Sequence, residues 1–384
     1  MTEDTYSKKI SLLGSTGSIG RQTLDVADRL GLRVVSLSAD KSIRLLEEQT
    51  RRFRPEIVAV YDNAAARSFK TAVADLDVRV VSGIDGLVEA ACAGDAQTVI
   101  TAVVGTVGLF PTLAAIRQGK RIGLANKETL VCAGEIIMNA AKKHGAEIIP
   151  VDSEHSALFQ CLLGENPKNI KRLILTASGG PFRGKTRQEL CNVTPEMALK
   201  HPNWDMGKKI TIDSATMMNK GLEIIEAVHL FDIPAEKIQA LIHPESIIHS
   251  MIEYADSSTI AQLSLPDMRL PIQYAITYPK RLPTPTGQLD FAKMGSLTFE
   301  QPDLESFPCL DLAIKTASIP GTACAILNAA NEAAVELFLD GKLGFYGISE
   351  AVQTALLKFG NKENPTVDDI IGADINTREF VKKY

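Results

Sequence analysis

Hydrophobic positions along the first 150 residues fall into short continuous runs separated by helix-length stretches. The runs are Ile10–Leu13, Arg33–Leu37, Ile57–Val60, Val78–Val81, Thr98–Val103, Ile122–Leu124 and Ile148–Val151. Strands that are apolar at nearly every position, rather than at alternate ones, belong to a parallel sheet covered on both faces, and helical segments between them supply the cover. The pattern predicts an α/β fold that opens with a doubly wound, Rossmann-like domain over residues 1–150. Beyond it, Leu173–Thr176, Ile238–Ile242, Ile247–Tyr254 and Thr259–Leu265 read as strands of a smaller sheet, with helices at Leu222–Phe231 and Met268–Thr277. This is a central α+β domain over 151–285, closed by the Pro-rich run Pro279–Pro285 and a linker over 286–308. From Cys309 the periods are helical, at Leu310–Ala317, Thr322–Leu339, Ile348–Phe359 and after Val367, so residues 309–384 form a C-terminal helical domain.

Composition narrows the function classes. The net charge of −5 comes without a basic cluster, which argues against nucleic acid as a partner, since phosphate-backbone affinity needs grouped Lys and Arg. Six cysteines, at 92, 132, 161, 191, 309 and 324, are scattered and form no C-x-x-C pair, so neither a zinc site nor a disulfide framework is expected. Met1–Lys9 is polar, and no stretch reaches the roughly 18 apolar residues of a membrane span, so the expectation is a cytoplasmic protein that does not engage a membrane.

Against that background several polar clusters stand out. Gly14-Ser15-Thr16-Gly17-Ser18-Ile19-Gly20 follows the first strand and opens a helix, the setting in which backbone N–H groups cradle a pyrophosphate. Its spacing is G-x-x-G-x-x-G, and a tight strand-to-helix turn without a ligand is the competing reading. At the end of the second strand, Asp40 suits the ribose hydroxyls of NAD, whereas Lys41 and Arg44 suit the 2′-phosphate of NADP, so these residues alone leave the choice open. Asn126-Lys127-Glu128 sits at another strand's carboxyl edge. An ordinary helix start accounts for Asn126 and Glu128, but a lysine at the positive end of a helix gains nothing there. In Pro150-Val151-Asp152-Ser153-Glu154-His155, an extended strand would point Asp152 and Glu154 to one face, where a hard cation would relieve their repulsion. Ser178 lies in a Gly-Gly-Pro loop that is equally readable as a plain turn. His201-Pro202-Asn203-Trp204 carries the only tryptophan, read either as a lid or as an anchor to the core. Ser214, Asn219 and Lys220 bring hydroxyl, amide and ammonium donors close together, the inventory a phosphate monoester needs, and Glu223 at the opening of an apolar helix is a third oxygen ligand. Asn328-Ala329-Ala330-Asn331-Glu332, inside the long Ala-rich helix, reads as a structural tie without chemistry.

Taken in order, Gly14–Gly20, Leu124–Glu128, Pro150–His155, Ser178–Phe182, His201–Trp204, Ser214–Glu223 and Asn328–Glu332 resemble the 1-deoxy-D-xylulose 5-phosphate reductoisomerases over nearly the whole chain. The resemblance implies an enzyme of the non-mevalonate isoprenoid pathway that isomerises and reduces a sugar phosphate with NADPH and Mg²⁺, Mn²⁺ or Co²⁺, as a cytoplasmic homodimer. By motif position it implies that Asp152, Glu154 and Glu223 bind the metal. It also implies that Ser178, Ser214, Asn219 and Lys220 grip the substrate phosphate, with Lys127, Ser153, Glu154, His201, Trp204 and Glu223 contacting the substrate or ordering it. For the cofactor it implies Thr16, Gly17, Ser18 and Ile19 at the pyrophosphate, Asp40, Lys41 and Ser42 at the adenosine end, and Asn126, Glu128 and Gly207 lining the site. Lys127 and the three carboxylates are its catalytic set, and a flap is implied around residues 200–210. A different metal-assisted sugar-phosphate dehydrogenase and a non-catalytic metabolite sensor are the competing readings. The first would oxidise NADPH only with another substrate, and the second would bind without turnover.

Overall fold

The structure, a computed structural model, describes residue 6, residues 8–200 and residues 206–383. Two compact units emerge. The first comprises the chain up to Thr129, Ile137–Ser156 and Asp267–Gly287, and the second comprises Leu130–Ile136, Ala157–Pro266 and Gln288 onward.

The first unit is built on seven strands: β1 (Lys9–Leu13), β2 (Arg33–Ala39), β3 (Ile57–Val60), β4 (Arg79–Ser82), β5 (Thr98–Thr101), β6 (Arg121–Leu124) and β7 (Ile148–Pro150). All pair in parallel in the order β4-β3-β2-β1-β5-β6-β7. Val58, Ala59, Val60, Val99 and Ile100 are wholly inaccessible, as expected for central strands with helices on both faces. The chain winds outward from β1 to β4, then returns to place β5 on the other side of β1. That reversal opens a crevice at the strands' carboxyl ends, where open α/β sheets take ligands. The segment Asp267–Gly287 also belongs to this unit. Its helix Arg269–Thr277 packs beside helix Ser18–Arg29, with Arg269 Nη1 3.2 Å from Asp25 Oδ2.

The second unit holds four further strands, β8 (Ile170–Ala177), β9 (Ile238–Ile242), β10 (Ile248–Tyr254) and β11 (Thr259–Leu263), in the order β11-β10-β8-β9. β8 and β9 are parallel, whereas β10 runs antiparallel to both β8 and β11. Helices Pro308–Ala317, Ala323–Leu339, Phe345–Lys358 and Val367–Val381 complete the unit. Helix Ala323–Leu339 is buried on nearly all sides, and its alanines let neighbouring backbones come close. The architecture is thus the expected α/β fold, with a Rossmann-like sheet, a smaller mixed sheet and a helical C-terminal region.

Two local expectations need correction. The run through Val151 stops as a strand at Pro150, and a helix begins at Ser153, so Asp152 and Glu154 are not strand neighbours. The helix expected from Leu222 begins at Met218 and runs to Phe231, which moves Asn219 and Lys220 from a loop onto the helix that carries Glu223.

Candidate active site

In the first unit, the glycine loop leaves β1 against the end of β5. Gly14 has φ +83°, and a Cβ there would lie 2.3 Å from the Ala102 carbonyl oxygen, so glycine is required on both counts. A Cβ on Gly20 would lie 2.2 Å from the Gly14 carbonyl oxygen, which explains the glycine six positions on. Gly17 is exposed, a Cβ there would meet only the Gly14 carbonyl oxygen at 3.6 Å, and it precedes helix Ser18–Arg29, whose first turn no side chain caps. Its N–H groups therefore suit an anion. The loop is braced from beneath by residues that the motif does not contain. Ser15 Oγ donates to Gln49 Oε1 at 2.7 Å, Gln49 Nε2 donates to the Ser15 carbonyl at 2.9 Å, and the Gly14 N–H donates to Ser38 Oγ at 2.9 Å. No sequence signal marked Gln49, since the inward face of its helix carries the polar Thr50 beside it as well as Leu46.

Asp40, Lys41 and Ser42 follow β2 and are exposed, and Arg44 has its Nε 3.6 Å from Glu48 Oε1. Asn126 is buried and caps helix Lys127–His144: its Oδ1 accepts from the Thr129 N–H at 3.1 Å, while its Nδ2 donates to the Val103 carbonyl at 2.9 Å and to Glu128 Oε2 at 2.9 Å. Asn126 thus ties the segment after β5 to the helix that begins with Lys127.

Lys127 donates to Asp152 Oδ2 at 2.8 Å, with both side chains largely shielded. Asp152 Oδ1 accepts from the Glu154 N–H at 3.1 Å, so this carboxylate caps the helix that Ser153 opens. Capping, not strand alternation, is what fixes Asp152 beside Glu154. Ser153 Oγ donates to Glu154 Oε2 at 2.5 Å.

In the second unit, Ser178 follows β8 in a loop where Gly179 and Gly180 both adopt positive φ. The Gly180 N–H donates to Ser178 Oγ at 3.2 Å, and a Cβ on Gly180 would come within 2.5 Å of the Ser214 carbonyl oxygen. Close backbone approach therefore sets Ser178 and Ser214 near one another. Ser214 lies on helix Lys208–Ala215, which Gly207 precedes with an exposed, extended backbone. Between this helix and the next, Met217 takes a left-handed conformation at φ +60° while buried, a strained position of the kind that gathers at ligand sites. Asn219, Lys220 and Glu223 then share about one helical turn: Asn219 Nδ2 donates to Glu223 Oε1 at 2.5 Å, and the Lys220 ammonium bonds the other carboxylate oxygen. Lys220 and Glu223 are 4% and 1% exposed, so this ion pair lies out of bulk water. Further along the same helix, burial lowers the pKa of the His229 imidazole, and Gly134 leaves room for that ring, which a Cβ would approach to 2.2 Å. His201 and Trp204, within residues 201–205 of the expected flap, lie outside the described residues, while residues 208–210 at its far end belong to helix Lys208–Ala215.

Comparison with known proteins covers nearly the whole chain. A family model described as 1-deoxy-D-xylulose 5-phosphate reductoisomerase matches residues 10–134, one described as the C-terminal domain of that enzyme matches 148–231, and one described as the DXP reductoisomerase C-terminal domain matches 263–380. The 1-deoxy-D-xylulose 5-phosphate reductoisomerase of Acetivibrio thermocellus is 56% identical over 375 residues, covering 98% of each chain. That of Caldanaerobacter subterraneus is 54% identical over 381 residues, covering 98% of this chain and 99% of its own. Among solved structures, the Zymomonas mobilis enzyme in complex with NADPH matches with a TM-score of 0.91 at 44% identity over 98% of both chains. A DOX-P reductoisomerase in complex with NADPH, fosmidomycin and magnesium matches with a TM-score of 0.92 at 41% identity, over 98% of this chain and 97% of that one. Identity this high over the full length, on a chain that carries every motif in order, means that it belongs to the 1-deoxy-D-xylulose 5-phosphate reductoisomerase family.

Proposed function

We propose that the chain performs its family's reaction, the NADPH- and divalent-metal-dependent isomerisation and reduction of 1-deoxy-D-xylulose 5-phosphate to 2-C-methyl-D-erythritol 4-phosphate, through the residues described above. The observation that carries the residue assignment is the helix Met218–Phe231, which buries an ammonium and a carboxylate in one turn, with a half-buried amide bonded to that carboxylate. A buried ion pair is weak as a stabilising device. It is well suited to a site where an anionic substrate and a cation are bound side by side.

Lys220, Asn219, Ser214 and Ser178 donate to the substrate phosphate, and Lys220 supplies the charge that selects it. Asp152, Glu154 and Glu223 offer only carboxylate oxygens, a donor set that fits Mg²⁺ or Mn²⁺, with Co²⁺ a third occupant. When bound there, the cation supplies Lewis acidity towards the substrate's carbonyl oxygen. Lys127, held by Asp152, keeps a positive charge beside the carboxylates and is placed to orient the substrate. The uncapped helix start and the Gly14–Gly20 cradle fit the pyrophosphate of NADPH, with Thr16, Gly17, Ser18 and Ile19 around it and Asn126, Glu128 and Gly207 lining the remainder. Lys41 and Arg44 offset the Asp40 carboxylate at the 2′-phosphate, which supports NADPH over NADH. Ser153, His201 and Trp204 complete the substrate contacts, with residues 200–210 as a closing flap. A cytoplasmic homodimer is the assembly proposed, with the smaller sheet offering an open edge at β11.

Product identification tests the reading. Incubated with 1-deoxy-D-xylulose 5-phosphate, NADPH and Mg²⁺, the protein should yield 2-C-methyl-D-erythritol 4-phosphate by NMR, one molecule per NADPH oxidised. NADPH oxidation without that product would refute it.

A further inference from the structure

The motif Asn328–Glu332 lies outside the proposed chemistry, yet it makes a directed contact to the helix that bears Ser214. Asn331 is wholly buried within an Ala-rich helix, where an amide is costly unless it is paired. Its Nδ2 donates to Asp213 Oδ1 at 2.8 Å. Asp213 is itself 1% exposed, and its other oxygen lies 2.7 Å from Lys209 Nζ, one turn earlier on the same helix. Lys209 lies on the same helix as Asp213 and also acts by charge on Glu332, whereas Asn331 reaches Asp213 from a separate element by a directional hydrogen bond. That element is clamped in turn: Glu332 accepts from Asn328 Nδ2 at 2.9 Å and from Arg378 Nη2 at 2.6 Å, and Arg378 also bonds Asp374. Burial pushes the Glu332 carboxyl up, but Lys209 and Arg378 more than reverse this, so it stays ionised.

We propose that Asn331 is a positioning residue for substrate binding, which sets helix Lys208–Ala215 through Asp213 and thereby aims Ser214 at the phosphate of the sugar substrate. The inference rests on the assignment of Ser214 to that phosphate. Apolar packing alone fixes a helix's position loosely along and about its axis, whereas a buried hydrogen bond to a carboxylate is directional. Because the Ser214 carbonyl lies against Gly180, any shift of the helix also disturbs the turn that carries Ser178. One contact therefore governs two phosphate donors.

The test is a KM comparison on the full chain. Asn331→Asp sets a second carboxylate against Asp213 and should raise KM for 1-deoxy-D-xylulose 5-phosphate about tenfold, the worth of one charged hydrogen bond, while KM for NADPH stays within about twofold. The double variant Asn331→Asp with Asp213→Asn exchanges the two groups, restores an amide-to-carboxylate bond and should recover most of the loss. Should the single variant not fold, Asn331→Ser, with its shorter donor, takes its place with an expected rise of about threefold. A folded single variant with unchanged substrate KM overturns the proposal, and so does a parallel rise in both KM values with a lowered Tm. Ser214→Ala separates the two claims: if it leaves substrate KM unchanged, the phosphate assignment itself is wrong. If it raises KM while the Asn331 variants do not, only the positioning role falls.

Discussion

Glu223 sits at 1% exposure with its oxygens bonded by Asn219 and Lys220 from its own helix, so its charge is balanced on one side before any ligand arrives. Glu223→Gln keeps the shape but removes a formal charge, and its amide NH2 cannot accept one of the two hydrogen bonds that the carboxylate takes from Asn219 and Lys220. We expect it to lower kcat/KM at least ~100-fold through loss of cation binding, with NADPH affinity unchanged. Fluorescence titration of NADPH beside steady-state kinetics at rising Mg²⁺ checks this, and normal turnover would remove Glu223 from the metal set. The residue identities of this region were legible because carboxylates, donors and glycines of these types have few other reasons to cluster. Their geometry was less so. Asp152 and Glu154 read as strand neighbours, but an aspartate immediately before a helix satisfies the backbone N–H groups of that helix's first turn, and this capping is what ended the strand at Pro150. Gln49 and Ser38 escaped notice because they act on the glycine loop from distant segments, by contacts that no local pattern encodes.

At the scale of elements, helix Met218–Phe231 is seated on helix Pro308–Ala317 by one close approach. A Cβ added to Gly221 would stand 2.3 Å from the Ala313 Cβ. Gly221→Ala should therefore destabilise the protein by about 1–3 kcal/mol despite its better helix propensity, and adding Ala313→Gly should restore part of this. Denaturant unfolding of both variants decides, and additive losses would contradict the contact. The start of this helix was misread because Met217, a left-handed non-glycine residue, carries no sequence signal for the break between the two helices. The seven parallel strands, by contrast, were legible from their largely apolar runs, since strands covered on both faces favour apolar residues at most positions, with only small Ser and Thr side chains such as Ser11, Ser36 and Thr101 between them. The last helix supplies a pH test. Hydrogen bonds from Lys362 and from the Thr366 backbone and hydroxyl pull the Asp369 carboxyl down to about 2. Because the folded pKa is depressed, the stabilisation is complete above the unfolded value, near 4, and is lost as the pH falls from there towards about 2. Amide exchange at the start of helix Val367–Val381 should accelerate over that window, and no change there would contradict the cap.

For the molecule as a whole, each unit carries half of the proposed chemistry. The first holds the dinucleotide crevice with Lys127, Asp152 and Glu154, and the second holds the donors for phosphate with Glu223. No helix among the described residues is long and apolar enough to cross a membrane. The central claim is that reduction of one particular sugar phosphate requires both NADPH and a cation bound by carboxylates. It is tested most directly by following NADPH absorbance with 1-deoxy-D-xylulose 5-phosphate before and after chelation. We predict oxidation that stops with chelator and resumes on adding Mg²⁺ or Mn²⁺. Oxidation indifferent to chelator, or absent with this substrate, would contradict the account.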